Sequence, residues 1–116
     1  MKNKNKKSIM RKKKEFRYHK IQKINERGKK KTLWHPAYVF FEKGNIYIYV
    51  SLTHSKEVQT TLLIKLRKNP NPKDERDSYR LVEIKEDTKD KFGRRVAGWE
   101  LDEQDDKELR DEYKKR

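Results

Sequence analysis

The sequence predicts a β-rich α+β fold, in which an antiparallel sheet is followed by a C-terminal helix. Two segments rich in β-branched and aromatic residues, 36–41 and 46–53, flank the short polar link Glu42-Lys-Gly-Asn45, a pattern typical of a hairpin. A third segment of similar composition follows at 60–66. Near the end, Asp102 is a favourable helix cap, with acids after it and lysines at the far end.

Local patterns account for the elements that come after the third strand. Proline removes a backbone donor and restricts the residue before it, so 69–72 (Asn-Pro-Asn-Pro) is predicted as a rigid loop. An imperfect alternation of apolar residues predicts a fourth strand at 78–84. Residues 92–99 are predicted as a turn region that includes a short strand. The capping pattern around Asp102 predicts a terminal helix from about 103 to 115.

Charge divides the chain into two unequal parts. The whole chain has 116 residues and a net charge of +14, of which residues 1–31 carry +13 and residues 32–116 carry +1. We therefore predict a basic, partly disordered N-terminal arm at 1–31 and one folded domain at 32–116. Residues 16–24 fit neither the helical nor the strand period, so a short strand and a helical turn both remain open.

Some classes of protein are disfavoured by what the sequence lacks. There is no cysteine, which excludes a disulfide scaffold and any cysteine-based zinc site. No apolar run approaches the length of a spanning helix, and the N-terminus lacks a hydrophobic signal core. We expect a cytoplasmic protein that does not associate with membranes and uses neither a metal nor another cofactor.

The predicted hairpin places several polar side chains at one end of the sheet. His35 precedes the first strand, and Thr53, His54 and Ser55 close the second. Because side chains alternate between the two faces of a strand, His54 is expected to point away from the side of Thr53. His35 and Thr53 therefore form the candidate site. His19 is interpreted as a spectator or a phosphate contact.

Several stretches between roughly 34 and 113 match, in their order and spacing, a pattern known from one protein family. They are His35-Pro-Ala-Tyr-Val-Phe40, Tyr49-Val-Ser-Leu-Thr-His-Ser55, Val58 to Leu66, Glu75 to Ile84, and Arg95-Val-Ala-Gly-Trp99 leading into the helix. This arrangement resembles the MazF/PemK family of plasmid-maintenance toxins. The resemblance implies a small, strongly bent antiparallel barrel with a C-terminal helix, which is a divergent member of the CcdB-like barrels.

The resemblance also implies a function. Members of the family cut single-stranded RNA without a metal, using the ribose 2′-hydroxyl as nucleophile. The active arginine and threonine of the family fall on His35 and Thr53, so the Arg-Pro dipeptide of the family is His-Pro here. The resemblance further implies a homodimer with RNA along its interface and an antitoxin partner. The related CcdB toxins act by binding a protein, so a non-catalytic inhibitor of a host nucleic-acid enzyme is the alternative.

The two candidate catalytic residues suit RNA cleavage chemically. Attack by a 2′-hydroxyl requires a base, an acid for the leaving oxygen and a cation for the phosphorane charge. Histidine is well matched to proton transfer near neutral pH, which supports a catalytic His35. The hydroxyl of Thr53 could donate to a phosphate oxygen. An exposed histidine before a strand and an ordinary strand threonine remain the alternatives.

The basic arm predicts binding to a polyanion, RNA or alternatively DNA. Each phosphate that is neutralised releases counterions, so binding should weaken steeply as salt rises. Phe16, Tyr18 and Trp34 lie among the cations, and an exposed aromatic ring can stack on a base. A solvated tail is the alternative interpretation. The predicted nucleic-acid-binding residues are Arg11, Lys12, Lys13, Lys14, Arg17, Tyr18, Lys29, Lys30, Lys31 and Arg67.

Overall fold

A computed structural model describes residues 9–54 and 62–115. Within these ranges the chain forms seven strands, a 3₁₀ turn at Lys89–Lys91 and one α-helix, which confirms the predicted β-rich α+β class. In chain order they are β1 (Met10–Ile24), β2 (Lys30–Lys43), β3 (Ile46–Thr53), β4 (Leu63–Lys65), β5 (Tyr79–Leu81), β6 (Lys85–Thr88), β7 (Phe92–Arg95) and α1 (Glu103–Lys114). The predicted disorder of residues 1–8, the position of Ser55 and the start of the predicted third strand lie outside the described residues.

The strands form one antiparallel sheet, which is open. Its order is β4-β5-β3-β2-β1-β7, and β6 pairs with a separate part of β3. The closed barrel implied by the family resemblance is therefore wrong, because among the described residues the end strands β4 and β7 each pair with only one neighbour. No helix in the described ranges is long and apolar enough to cross a membrane.

Strand β1 contains much of the basic segment. It pairs with β2 from Met10 opposite Lys43 to Ile24 opposite Lys30, with one irregularity near Lys12. The segment 16–24, for which a strand and a helical turn were both open, is thus a strand. The predicted division at residue 31 falls within β2, so the described part of the basic segment belongs to the sheet.

The hairpin of β2 and β3 is confirmed, with a loop of two residues in place of the predicted four. Lys43 pairs with Ile46, which leaves Gly44 and Asn45 as the turn. Gly44 has a φ of +58°. A residue without a side chain is favoured at this first central position, because a type II′ turn requires positive φ there.

The middle of β2 is buried on both faces of the sheet. Tyr38 and Phe40 join the larger apolar cluster, where Leu109 of α1 is completely buried. Ala37 and Val39 point to the other face and join a smaller cluster. This arrangement explains why β2 contains a continuous apolar run instead of an alternating one.

The smaller cluster is covered by the segment that runs from β6 to β7. Strand β6 pairs with β3 and β7 pairs with β1, so the connecting turn passes over this face of the sheet. His19 is buried here, with its ring 4.6 Å from the rings of Tyr49 and Phe92. Its Nε2 lies 2.8 Å from an oxygen of Asp87. His19 therefore joins β1 to β6, which contradicts a phosphate contact, while its role as a spectator of the chemistry stays a prediction.

Helix α1 begins where the sequence predicts. The side chain of Asp102 accepts hydrogen bonds from the backbone amides of Gln104 and Asp105, at 2.9 and 3.2 Å. These bonds satisfy amides that have no partner within the helix. The helix ends at Lys114, one residue before the predicted end.

A buried polar network joins α1 to the sheet. The Tyr38 hydroxyl donates to Asp106 at 2.6 Å, and Arg110 donates to the same carboxylate at 2.9 Å. Arg110 also donates to the backbone carbonyls of Phe40 and Lys13, at 2.9 and 2.6 Å. Burial and the neighbouring Asp106 raise the pKa of Tyr38 well above its usual range.

Glu42 makes part of the stability sensitive to acid. It pairs with Lys13 at 2.8 Å and with Lys89 at 3.0 Å. The hydrogen bond from Lys13 is the largest cause that lowers the pKa of Glu42 below its usual value of 4.5. A lowered folded-state pKa contributes stability above the unfolded-state value, and that contribution is lost as the pH falls through the folded-state value.

We therefore expect Glu42→Gln to lower the free energy of unfolding at pH 7 by about 1 kcal/mol or less. The difference from the parent should shrink as the pH falls below about 4. Urea denaturation at pH 7 and pH 3 would measure both values. Glu83→Gln is the matched control, because the Glu83 side chain is 67% exposed and its bridge to Lys85 is long, at 3.8 Å. An equal loss at the two pH values would contradict the prediction.

Candidate active site

A pocket of about 140 Å³ opens beyond the last pair of the β2–β3 ladder, near the end of β3. His35 and Thr53, which the sequence paired as catalytic candidates, both line it. The loop between β4 and β5 and the segment before α1 supply the opposite wall. The complete lining is His35, Pro36, Leu52, Thr53, His54, Asn69, Ser78 and Trp99.

The register of the β2–β3 hairpin brings His35 and Thr53 together. Ala37 pairs directly with Ser51. The ladder ends there, and two residues further along each strand His35 pairs with His19 of β1, while Thr53 pairs with Tyr79 of β5. Residues beyond the ladder end are more accessible than those within it, and the pocket is formed there.

His54 also lines this pocket. Strand β3 ends at Thr53, and His54 lies in a bend. The alternation of side chains holds only while the chain continues as a strand, so the direction expected for His54 stays a prediction. The pocket is therefore lined by two histidines and a threonine, and both histidines are exposed.

A charged pair flanks His54. Its Nε2 lies 3.5 Å from Nη2 of Arg76 and 3.9 Å from Oδ2 of Asp74. Arg76 in turn donates to Asp74 from Nη2 at 2.8 Å and from Nε at 3.0 Å. These hydrogen bonds hold the pKa of Asp74 well below its usual range. The predicted pairing of Arg76 with a neighbouring acid is confirmed, but the sequence did not indicate its proximity to His54.

The loop that carries these residues is held by its own hydrogen bonds. The amide group of Asn69 donates to the carbonyl of Arg76 at 2.9 Å, and its oxygen accepts from the backbone of Asn71 at 2.9 Å. The backbone of Glu100 donates to the carbonyl of Pro70 at 3.1 Å, which ties the loop to the segment before α1. One wall of the pocket is therefore held by hydrogen bonds within the loop and to the segment before α1.

The predicted nucleic-acid-binding residues divide into two groups. Arg67 donates to Asp105 at 2.6 Å and to Glu108 at 2.7 Å, so its charge is already matched by two carboxylates. Lys13 pairs with Glu42, and Arg17 pairs with Glu15 at 2.9 Å. The remaining cations are exposed and lie on β1 or around the β1–β2 turn: Arg11, Lys12, Lys14, Lys29, Lys30 and Lys31.

The aromatic residues of this region differ in their accessibility. Phe16 is 2% exposed and belongs to the larger cluster, so it is not available to stack on a base. Tyr18 is half-buried and Trp34 is 50% exposed. Trp34 is therefore the more accessible of these aromatic residues, although Tyr18 is the one among the predicted binding residues.

Within the described ranges, no cluster of three or more histidines and carboxylates is arranged to hold a metal ion. Comparison of the chain with protein-family models, with curated proteins and with solved structures finds no match. The site is therefore interpreted from its own residues and geometry.

Proposed function

We propose that the protein is a metal-independent endoribonuclease that cleaves single-stranded RNA at the pocket of His35, Thr53 and His54. The observation that carries the proposal is the meeting of two exposed imidazoles with a hydroxyl in one pocket of about 140 Å³. Two histidines can divide the proton transfers of RNA cleavage between them, because one can act as base while the other acts as acid.

The proposed reaction is an internal transfer at phosphorus. One imidazole removes the proton from the ribose 2′-hydroxyl as that oxygen bonds to phosphorus. The bond from phosphorus to the 5′-oxygen of the next nucleotide breaks, and the second imidazole protonates that oxygen. The products are a 2′,3′-cyclic phosphate and a free 5′-hydroxyl, and the Thr53 hydroxyl donates to a non-bridging oxygen in between.

Arg76 offers a guanidinium beside His54, for which a bound phosphate would compete with Asp74. Its Nη2 lies 3.5 Å from Nε2 of His54, so the guanidinium is close to any phosphate that His54 contacts. Guanidinium is well suited to a phosphorane, since it stays charged and offers several donors. In this proposal Asp74 orients Arg76, and the position held by arginine in the MazF/PemK family is taken by His35.

The surrounding charge supports an anionic substrate. The chain carries a net charge of +14, and the exposed cations of β1 and of the β1–β2 turn lie on the same sheet as the pocket. A substrate without a 2′-hydroxyl lacks the nucleophile, which favours RNA over DNA. The resemblance to MazF/PemK toxins further suggests a homodimer and an antitoxin that blocks the pocket.

The proposal is tested by incubating the protein with a single-stranded oligoribonucleotide in EDTA. We expect cleavage that leaves a 2′,3′-cyclic phosphate, detectable by mass spectrometry. Cleavage should stop at any site where the upstream ribose is replaced by 2′-deoxyribose, while neighbouring sites are still cut. A DNA strand of the same sequence should remain intact.

Two results would overturn this function. Equal cleavage of the DNA strand would exclude the 2′-hydroxyl as nucleophile. Intact RNA, together with stoichiometric binding to a host nucleic-acid enzyme, would favour the non-catalytic inhibitor instead.

A further inference from the structure

A second cavity, of about 320 Å³, lies on the outer part of the sheet and is lined by Tyr18, Trp34, Gly93 and Arg94. It contains two aromatic rings and a guanidinium but none of the residues of the proposed active site. Trp34 is 50% exposed, whereas Tyr38, an aromatic residue of the same strand, is 2% exposed. Part of the indole is therefore accessible to a ligand.

Gly93 allows the indole to lie against the backbone of β7. A Cβ atom at this position would be 3.2 Å from Cζ3 of Trp34, which is closer than ordinary van der Waals contact. Trp34 belongs to β2, and β1 lies between β2 and β7 in the sheet. The indole thus reaches across β1 and rests on the one residue of β7 that has no side chain, which restricts its orientation.

The strand register places Trp34 on the same face of the sheet as Pro36, whereas His35, which lies between them, alternates to the other face. Trp34 lies opposite Lys20, and Pro36 lies opposite Tyr18. Residues that are directly opposite, or two apart on one strand, share a face, so all four side chains are on the same side of the sheet. Pro36 also lines the pocket of His35. Its distance from Trp34 along the strand is about 7 Å, comparable to the span of one extended nucleotide.

The charges around Trp34 match a nucleic-acid strand. Lys20 lies opposite it, and Arg94 lines the same cavity. The β1–β2 turn contributes the exposed residues Lys29, Lys30 and Lys31. A ligand that suits both the rings and the cations has a flat aromatic group on an anionic backbone. An unpaired base meets this requirement, whereas a base inside a duplex is already stacked on its neighbours.

We propose that Trp34, supported by Gly93 and flanked by Tyr18, is a stacking subsite for an unpaired base of single-stranded RNA. That RNA is the ligand rests on the proposed function, but base stacking itself does not. The subsite favours single strands over duplexes. Aromatic stacking tolerates any base, so this subsite increases affinity without reading sequence.

The test measures binding of a short single-stranded oligonucleotide in which every ribose carries a 2′-O-methyl group, so that no cleavage can occur. Fluorescence anisotropy would give Kd for the parent, Trp34→Ala, Trp34→Phe and Ile24→Ala. We expect Kd to rise about ten-fold for Trp34→Ala and only about two-fold for Trp34→Phe, which keeps an aromatic ring. Ile24→Ala is the matched control, because Ile24 is an apolar residue at the end of β1 that is 69% exposed. This variant should bind the oligonucleotide as the parent does.

An abasic scan identifies stacking as the cause. Oligonucleotides lacking one base at a time should bind the parent more weakly at one position, and at that position Trp34→Ala should cause no further loss. Unchanged binding by Trp34→Ala would overturn the proposal, as would an equal loss for oligonucleotides with and without bases. The proposal would also be overturned by a protein ligand whose binding requires Trp34 and does not compete with the oligonucleotide.

The design separates this proposal from that of cleavage. Because the oligonucleotide cannot be cut, a protein without nuclease activity can still show the stacking result. Conversely, a parent protein that cuts RNA but binds the uncleavable oligonucleotide no better than Trp34→Ala does would retain the cleavage proposal and overturn the stacking subsite.

Discussion

Replacing either His35 or His54 by alanine is expected to slow RNA cleavage by about 10²–10⁴-fold, the usual contribution of a general acid or base. Both side chains line the pocket and are exposed, so their removal leaves the apolar clusters intact. Cleavage rates under single-turnover conditions would measure the effect on the chemical step. Thermal melting of each variant would show that the fold is retained.

Two further results would support a shared mechanism for the histidines. The parent rate should follow a bell-shaped dependence on pH, because one imidazole must be neutral while the other is protonated. The double variant should be little slower than either single variant, since residues that act as a unit are not additive.

Thr53 offers a matched pair of variants. Thr53→Ser keeps the hydroxyl and should retain most activity, whereas Thr53→Val should lose the donor to the phosphate oxygen. If the His35→Ala and His54→Ala proteins cut RNA as fast as the parent, the catalytic assignment fails.

The largest effect on stability is expected for Arg110→Ala, which should lower the free energy of unfolding by about 3–5 kcal/mol. The side chains of Arg110 and Asp106 are 7% and 9% exposed and pair at 2.9 Å. Removing the guanidinium leaves the buried Asp106 carboxylate with two partners among the described residues. These are the Tyr38 hydroxyl and the exposed Lys14, whose Nζ is 3.9 Å away. The carbonyls of Phe40 and Lys13 lose a charged donor in the same step.

Urea denaturation of the parent and the variant would measure this loss. Lys107→Ala is the control on the same helix, because Lys107 is 67% exposed and pairs with Asp111 at the surface. That control should change the free energy of unfolding by less than about 0.5 kcal/mol. A loss below about 1 kcal/mol for Arg110→Ala would show that the network contributes little.

The hairpin and the helix could be predicted because each is specified by neighbouring residues. Gly44 permits the turn, and the apolar runs on either side supply the two strands. Asp102 satisfies helix amides two and three residues away, so its role can be read locally. The boundaries of these elements are therefore set by nearby residues, although α1 is positioned on the sheet by contacts that are distant in sequence.

The other strands depend on partners that are remote in sequence. Strand β6 has the sequence Lys-Glu-Asp-Thr, which contains no apolar residue, and it is held by pairing with β3. Only Phe16 and His19 of β1 are buried, so its fifteen residues show no clear period. The barrel was inferred from family resemblance, and no local pattern reports whether the edges of a sheet meet.

Only part of the candidate site could be predicted, because the rest also depends on residues that are remote in sequence. The pairing of His35 with Thr53 followed from the hairpin, whereas the position of His54 depends on where β3 ends. The sequence alone places Arg67 among the nucleic-acid-binding residues, because no local pattern reveals its partners. These partners, Asp105 and Glu108, lie 38 and 41 positions away. The nearness of Arg76 to His54 likewise required the path of the loop.

The wide separation in sequence of the pocket residues has a consequence during protein synthesis. His35 and Trp99 lie on opposite walls of one pocket, and the backbone of Glu100 ties the intervening loop in place. A growing chain therefore has no complete pocket until Trp99 has left the ribosome and the segments have docked.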